Sequence, residues 1–505
     1  MQFFTKVISP IFRVRQRQLE QFGTQADTIQ QRQLAKLIDE AKNTEWGKQY
    51  GFRDFCDYRT FSERVPLQTY EEVKPYVERM IRGERSILWP SNVKWYAKSS
   101  GTTNDKSKYI PVSREILFRC HYRGGFDSVA LYLQNNPKSN FFDKKGLILG
   151  GSHSPAVINS HAHQGDLSAV MIQNLPAIID LLRVPPKRVI LMGEWESKIN
   201  AIVDYTWKKK IGSLSGIPSW MLTLIEAVLK KTGKDNLLEV WPDLEVFFHG
   251  GVSFKPYRER YKELIPSDSM HYMETYNASE GFFSIQDDLT VEGMLLMLDY
   301  GIFYEFIPVS GSGKDDPKPI PLSEVEVGKN YAMVITTCGG LWRYIIGDTV
   351  RFTSVFPHKI VITGRTKHFI NAFGEELMVD NADKGIAIAS EKTGAVVKEY
   401  TVAPWFDLEH AGGKHQWLIE FEKMPASLDE FAKVLDDELK QINSDYEAKR
   451  YKNISLQPLE VIVAKSNLFY DWLRMKDKLG GQHKIPRMSN ERTMLEELLK
   501  LNSPA

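Results

Sequence analysis

Cysteine is scarce in this chain. Only Cys56, Cys120 and Cys338 occur in 505 residues, far apart and odd in number. No Cys-x-x-Cys pair is present, so the pattern holds neither a disulfide framework nor a cysteine-based zinc site. It fits a reducing compartment, and a cytoplasmic protein is the expectation. An excess of one charge is missing too: 65 Lys and Arg stand against 64 Asp and Glu, for a net charge of +1. Nothing in that balance asks for nucleic acid or an anionic membrane as partner. Long apolar runs are also lacking. The greasiest region, Gly293 to Val309, is interrupted by Asp299 and Glu305, so no membrane span is expected. The start, Met1 to Arg15, is broken by Lys6, Pro10 and Arg13 and predicts an amphipathic helix rather than a signal peptide. There is no Gly-x-x-x-x-Gly-Lys-Ser/Thr, which excludes a P-loop NTPase, and no Gly-x-Ser-x-Gly, which argues against an α/β-hydrolase. Internal repeats and low-complexity tracts are absent.

What is present is a chain of globular composition, 42% apolar and 26% charged, too long for one core. Asp27-Thr28-Ile29-Gln30 resembles a capping box ahead of apolar residues at helical spacing, and a second helix is predicted over Tyr70 to Arg82. Ser113 opens a long helix through Phe118, Tyr122, Phe126, Val129 and Leu133. From Gly146 onward, short apolar runs end in glycine turns: Leu147 to Leu149, Val189 to Met192, and Leu244 to Phe248. Buried strands of that kind, with helices between them, predict an α/β sheet whose ligand sites gather at strand ends. Met294 to Val309 and Tyr331 to Thr337 suggest strands of a second sheet. Beyond Arg365 the pattern becomes α+β, with strands near Val396–Val402, Trp417–Phe421 and Leu459–Val463. One helix starts at a Ser427-x-x-Glu430 capping box and another follows Ser489.

Five stretches bear on chemistry. Between two apolar segments lies Ser99-Ser100-Gly101-Thr102-Thr103, followed by Lys106 and Lys108. A turn of this composition can aim N–H groups and hydroxyls at one anion while the glycine lets the main chain approach. Tyr276 and Glu280 follow a strand predicted over Met270 to Met273 and offer a ring for a flat base and a carboxylate for a divalent cation. Gly347-Asp348 is expected as a tight turn presenting a carboxylate to a diol. Gly364-Arg365 closes another apolar run, and Lys484 sits in a loop bounded by Gly481 and Pro486. Each alone is ordinary: a polar hairpin, a packed tyrosine, a turn aspartate, a surface arginine, a solvated lysine. His153, His161 and His163 invite a metal reading but lack a dependable carboxylate or cysteine partner.

In this order the five stretches resemble the adenylate-forming superfamily of acyl-CoA synthetases, nonribosomal adenylation domains and luciferases. Within it, the chain looks most like the acyl-acid amido synthetases of the plant auxin-responsive (Gretchen Hagen) family. Thr44–Phe52, Val65–Glu71, Gly216–Trp220 and Gln482–Arg487 extend that resemblance over nearly the whole length. It implies a large N-terminal adenylate-forming domain of mixed sheets and helices over 1–365, and a small, mobile α+β domain over 366–505 turning at Lys367. It also implies that Ser99, Ser100, Gly101, Thr102, Thr103 and Lys108 hold the phosphates of ATP. Tyr276 would lie against adenine over Gly250 and Gly251, Glu280 would bind Mg²⁺, and Asp348, beside Arg365, would take the ribose. Lys484 would swing in for adenylation.

The reaction implied is activation of a carboxylic acid as acyl-adenylate, then transfer to an amine, an amino acid by family. The acid pocket is expected between the helix after Ser113 and the loops near Gly150 and Gly216, with Tyr122, Phe126, Arg123, Met171 and Trp220 as lining residues. Two departures bear on rival readings. Asp105 places a negative charge where the family has glycine, which leaves a nucleotide-binding non-enzyme open. Glu375-Glu376, after Gly374, lacks the arginine common in acyl-CoA ligases after that glycine, which counts against coenzyme A binding and so against an acyl-CoA ligase, the other alternative.

Overall fold

The computed structural model describes residues 12, 14–99, 108–150, 155–251, 254, 257–309, 318–365, 369–370, 372, 375, 377–406, 413–443, 446–447, 450, 456–476 and 484–503. Its first strands are β1 (Trp95–Ser99), β2 (Lys108–Val112), β3 (Lys145–Ile148), β4 (Ala156–Val157), β5 (His163–Gly165) and β6 (Arg183–Val184). Then come β7 (Ile211–Gly216), β8 (Val246–Gly250), β9 (His271–Ala278), β10 (Gly281–Ile285), β11 (Met294–Leu296), β12 (Ile302–Pro308) and β13 (Ile320–Pro321). The rest are β14 (Asn330–Thr337), β15 (Tyr344–Val355), β16 (His358–Arg365), β17 (Phe369–Ile370), β18 (Leu377–Met378), β19 (Val396–Phe406), β20 (Gly413–Lys423) and β21 (Glu460–Ala464).

One sheet of 12 strands dominates, in the order β13-β12-β14-β15-β16-β11-β10-β9-β8-β7-β3-β6. From β6 to β9 its neighbours are parallel. From β9 to β13 they are antiparallel. The parallel half needs crossover helices, and Trp195–Thr206 and Pro218–Thr232 occupy those connections. Pro218 opens the second where its missing N–H is harmless, and Gly233 closes it at φ 66°. Ile199, Ile202 and Val203 recur at helical spacing and pack with Leu147, Leu214 and Phe247 of the strands. Each such buried aliphatic side chain contributes roughly 1.5–3 kcal/mol.

The antiparallel half curls. Four ladder steps separate β9 from β15, and at roughly 4.8 Å per step a flat sheet would hold them about 19 Å apart. Yet the Tyr276 hydroxyl of β9 donates directly to the Asp348 carboxylate of β15. The curled faces enclose the largest apolar core, which includes Phe283, Tyr304, Phe306, Tyr331 and Phe352.

In the C-terminal sheet, β19-β20-β21, the middle of β20 alternates between two cores. Trp417 and Ile419 face a core shared with the helices Val379–Thr393 and Leu428–Ile442, whereas Leu418 faces one shared with Leu468–Met475 and Thr493–Asn502. Ser427 caps its helix by accepting the Glu430 N–H at 3.2 Å, as its spacing predicts. Polar contacts join this unit to the N-terminal part: Arg260 to Glu422 at 2.7 Å and Tyr470 to Glu196 at 3.3 Å.

Several local expectations are corrected. Val189 to Met192 is no strand; Pro185-Pro186 ends β6 and starts the short helix Lys187–Ile190, of which only Ile190 is buried. The segments 294–309 and 331–337 join the main sheet rather than a second one. Gly347-Asp348 lies within β15, not in a turn, with Gly347 at φ 88° where the pairing register with β14 shifts. Strand β9 runs past Met273 through Tyr276. The first expected capping box is also displaced: the helix Ala26–Ala41 starts ahead of Asp27, which instead accepts from Gln31. The helix after Ser113 contains a π-helical turn, Ile116–His121, before its α-helical part Tyr122–Asn135.

Arg343 ties the N-terminal helices to the sheet. Its φ of 43° is strained for a residue with a Cβ. The strain is held by a buried pair with Glu305 at 2.7 Å and by donation to Ser62 O at 2.8 Å and Val65 O at 2.7 Å. Glu305→Ala leaves that guanidinium buried without its counter-charge, and should lower stability by about 3–5 kcal/mol in urea denaturation. A loss under about 1 kcal/mol, the range of exposed pairs, would show that the clamp does not hold the strand.

Candidate active site

The site starts where the parallel strands end. Gly250 of β8 faces Thr275 of β9 in register. A Cβ there would lie 2.2 Å from the Thr275 carbonyl oxygen, so the close strand approach requires glycine. Gly251 takes φ 83°, and its carbonyl accepts a hydrogen bond from the Lys484 ammonium. One residue beyond Thr275 is Tyr276, bonded to Asp348; each is 5% exposed. Arg365 is the register partner of Asp348 at the end of β16. Glu280 occupies the turn between β9 and β10 and is 8% exposed. Gly250, Gly251, Tyr276, Glu280, Asp348, Arg365 and Lys484 are therefore gathered from five separate stretches of chain.

The hydroxyl-rich stretch leaves the hairpin β1–β2, whose last register pair is Ser99 with Lys108. Ser100, Gly101, Thr102, Thr103, Asp105 and Lys367, the expected hinge, lie outside the described residues, as does His153. The hairpin is fastened on two sides. The Tyr109 N–H donates to the Tyr70 hydroxyl at 2.7 Å, with the Lys108 ammonium 5.6 Å from that ring. Ser113 Oγ donates to Cys338 O at 2.8 Å. Gln68, just before the Tyr70 helix, donates its N–H to Arg343 O at 2.9 Å and accepts from Ile345 N at 2.8 Å. These contacts tether the hairpin to the strand that carries Asp348.

Among the residues expected at the acid pocket, two are joined and the others are engaged elsewhere. The Tyr122 hydroxyl donates to Met171 O at 2.7 Å, with Phe118 packed edge-on at 5.2 Å. Arg123 is paired with Asp299 at 2.7 Å, which Arg15 also binds. Phe126 stacks on Phe12 at 4.8 Å, and Trp220 meets Trp195 at 5.7 Å. Arg119 binds Glu40 at 2.8 Å. The His163 ring packs on Trp95 at 4.8 Å. Among the described residues no group of three or more His, Cys, Asp or Glu could hold a metal.

Four further residues lie beside the site. His121, on the π-helical turn, is fully buried with Nδ1 3.1 Å from Asn277 Oδ1, next to Tyr276. Lys198 is buried beneath the Gly150 loop, donating to Gly150 O at 3.0 Å, and burial lowers its pKa to about 8. Tyr257 and Arg487 meet across the junction between the N- and C-terminal parts at 3.2 Å. Only Arg487 carries a signal, as the last residue of the Gln482–Arg487 motif. The other three are single residues in apolar runs or loops, with no spacing to mark them.

Comparison with known proteins covers most of the chain. The GH3 family N-terminal domain matches residues 15–270, the central domain 295–365 and the C-terminal domain 380–493. The indole-3-acetic acid-amido synthetase GH3.4 of Arabidopsis thaliana is 24% identical over 550 residues, covering 93% of this chain and 90% of that protein. The 4-substituted benzoates-glutamate ligase GH3.12 of the same plant is 21% identical over 569 residues, covering 95% and 96%. Among solved structures, the GH3.15 acyl acid amido synthetase superposes with a TM-score of 0.77 at 19% identity, covering 96% of this chain and 94% of that one.

Burial sets a pH dependence. Desolvation holds the His121 imidazole at about 4 and that of His249, stacked on Phe254, at about 3, below the usual 6.5. Below pH 6.5 the unfolded chain takes up protons that the folded protein refuses. Stability should therefore fall as pH drops from 6.5 toward 4, by about 1.4 kcal/mol per pH unit for each histidine. Urea midpoints across that window measure the slope, and His249→Phe should remove its share. An unchanged slope in that variant would contradict the assignment.

Proposed function

The chain belongs to the GH3 family, and on that premise we propose that it is an ATP-dependent, AMP-forming acyl-acid amido synthetase. It would activate a small carboxylic acid as an acyl-adenylate and pass the acyl group to an amine, an amino acid by class. The observation that carries this reading is the meeting of Tyr276 with Asp348 and, just past the end of the neighbouring strand β8, of Lys484 with Gly251. The relatives described above are named for joining indole-3-acetic acid, or benzoates and glutamate, which supports an acid and an amino acid as substrates.

In the first step a carboxylate oxygen attacks the α-phosphorus of ATP, and the bond to pyrophosphate breaks. The Tyr276 ring would lie against adenine, with the bare Gly250–Gly251 backbone beneath it. Asp348 would accept the ribose hydroxyls beside Arg365. Ser99, Ser100, Gly101, Thr102, Thr103 and Lys108 would cradle the phosphates. The Lys484 ammonium, already at the nucleotide turn, would offset the charge that develops on the transferring phosphate, the main source of acceleration in such reactions. Glu280 suits Mg²⁺, an ion that accepts one carboxylate and completes its shell with phosphate oxygens and water. When bound, Mg²⁺ would supply further neutralisation of the phosphates. In the second step the amine nitrogen attacks the acyl carbon, AMP leaves with the bonding electrons, and the amine's proton passes to solvent.

Residues 366–505 would turn about Lys367 between the two steps, with residues 1–365 holding both substrates. Tyr122 and Met171 would border the acid, with Phe126, Arg123 and Trp220 farther out. Cysteine usage supports a cytoplasmic enzyme. No helix among the described residues is long and apolar enough to cross a membrane.

Incubation with ATP, Mg²⁺, indole-3-acetic acid, 4-aminobenzoic acid and mixed amino acids, followed by mass spectrometry, should show AMP and one amide. Thioester formed from added coenzyme A would make the protein an acyl-CoA ligase, and absence of AMP would leave a nucleotide-binding protein. Lys484→Ala should abolish adenylation while sparing amide formation from supplied acyl-adenylate. Equal loss of both half-reactions would remove Lys484 from its role.

A further inference from the structure

Lys484 stands three residues before Arg487, in a segment that follows β19 as an added edge. Thr401 Oγ1 donates to Pro486 O at 2.7 Å, Val402 N to Arg487 O at 2.9 Å, and Ser489 N to Val402 O at 3.1 Å. The backbone on the C-terminal side of Lys484 is thus stapled to the C-terminal sheet. The Arg487 guanidinium then reaches both ways. Toward the C-terminal core, Nη1 donates to Asp383 Oδ1 at 2.7 Å, Nε lies 3.5 Å from Glu399 Oε1, and the group sits 5.1 Å from the Tyr400 ring. Toward the N-terminal part, Nη2 donates to the Tyr257 hydroxyl at 3.2 Å. Tyr257 is 2% exposed, packs in the core of the parallel half, and follows Gly251 by six residues.

Only a planar fork serves this arrangement. A lysine ammonium could satisfy Asp383 or Tyr257, but it presents no rigid second arm in the opposite direction. Tyr257 and Gly251 share one stretch of chain on one side of the junction, and Arg487 and Lys484 share another on the opposite side. The two cross-junction contacts, Arg487 with Tyr257 and Lys484 with Gly251, therefore form a pair. The first is part-buried, on a Tyr257 that is itself buried, and the second ends on an exposed ammonium.

Resting on the assignment of Lys484 above, we propose that Arg487 is its positioning residue: by joining Asp383 to Tyr257 it registers the C-terminal loop so that the Lys484 ammonium meets the Gly251 carbonyl. The bond to Tyr257 serves the adenylation arrangement and has no part in amide formation.

Tyr257→Phe removes the accepting hydroxyl and keeps the buried ring, and Arg487→Lys keeps one charge and loses the fork. The first readout needs no activity: acetylation of intact protein by a water-soluble N-hydroxysuccinimide ester, with Lys484 followed by peptide mass spectrometry. Both variants should label severalfold faster at Lys484 than wild type, with Tm unchanged in Tyr257→Phe. The second readout is pyrophosphate exchange into ATP with indole-3-acetic and 4-aminobenzoic acids. Here kcat should fall about tenfold, the effect of one hydrogen bond to a charged group. KM for ATP and amide formation from the supplied adenylate should stay unchanged. Unaltered Lys484 labelling overturns the proposal, as does an equal fall of both half-reactions with a lowered Tm in Tyr257→Phe. Faster labelling in both variants, with no exchange even in wild type, would uphold the positioning role and instead overturn the assigned reaction.

Discussion

A single hydrogen bond, from the Tyr276 hydroxyl to the Asp348 carboxylate, marks where the large sheet closes on itself. The two residues belong to strands that the ladder holds four steps apart, so only the curl of the antiparallel half brings them together. Both are nearly buried, and a buried hydroxyl bonded to a carboxylate is worth about 1.5–3 kcal/mol net. The curl also fixes what is nearby. Thr275, one residue before Tyr276, sits against Gly250, and Gly251 follows in the left-handed region with its carbonyl turned to Lys484. A site assembled around strand ends in this way is held by backbone pairing rather than by loops, which keeps its geometry fixed.

Buried arginines carry the second layer of organisation. Arg15 joins Asp127 and Asp299, Arg343 joins Glu305, Arg450 joins Asp436, and Arg487 joins Asp383. Removing one member of such a pair strands a charge, so each fixes register more than it adds stability. The first pairing also accounts for Arg123. Asp299 is shared between Arg15 and Arg123, so a residue whose helix position suggests a substrate carboxylate is drawn to an internal one.

How much is legible in the sequence follows from how far apart the deciding residues lie. The stretches proposed to hold the nucleotide are short, ordered and chemically marked, and Gly250, Tyr276, Asp348 and Lys484 can be named because turns, rings and carboxylates leave local patterns. The C-terminal unit is readable for the same reason: Trp417, Leu418 and Ile419 alternate, and Ser427 caps its helix. The curl is not readable, because hydrogen-bonding order between distant strands has no local signature; 294–309 therefore resembles part of a separate sheet. Val189 to Met192 misleads because a short apolar run fits strand or helix alike, and the Pro185-Pro186 pair decides it. Tyr257 and His121 leave no trace, since their importance comes from partners more than 150 positions away.

Hydrogen exchange measured by mass spectrometry, with and without ATP and Mg²⁺, tests most directly whether these segments surround one nucleotide. Convergence predicts that peptides covering 95–112, 246–251, 271–285, 344–350 and 484–489 gain protection together, with a single dependence on ATP concentration. Protection confined to one of these segments, or segments responding at different concentrations, would contradict it.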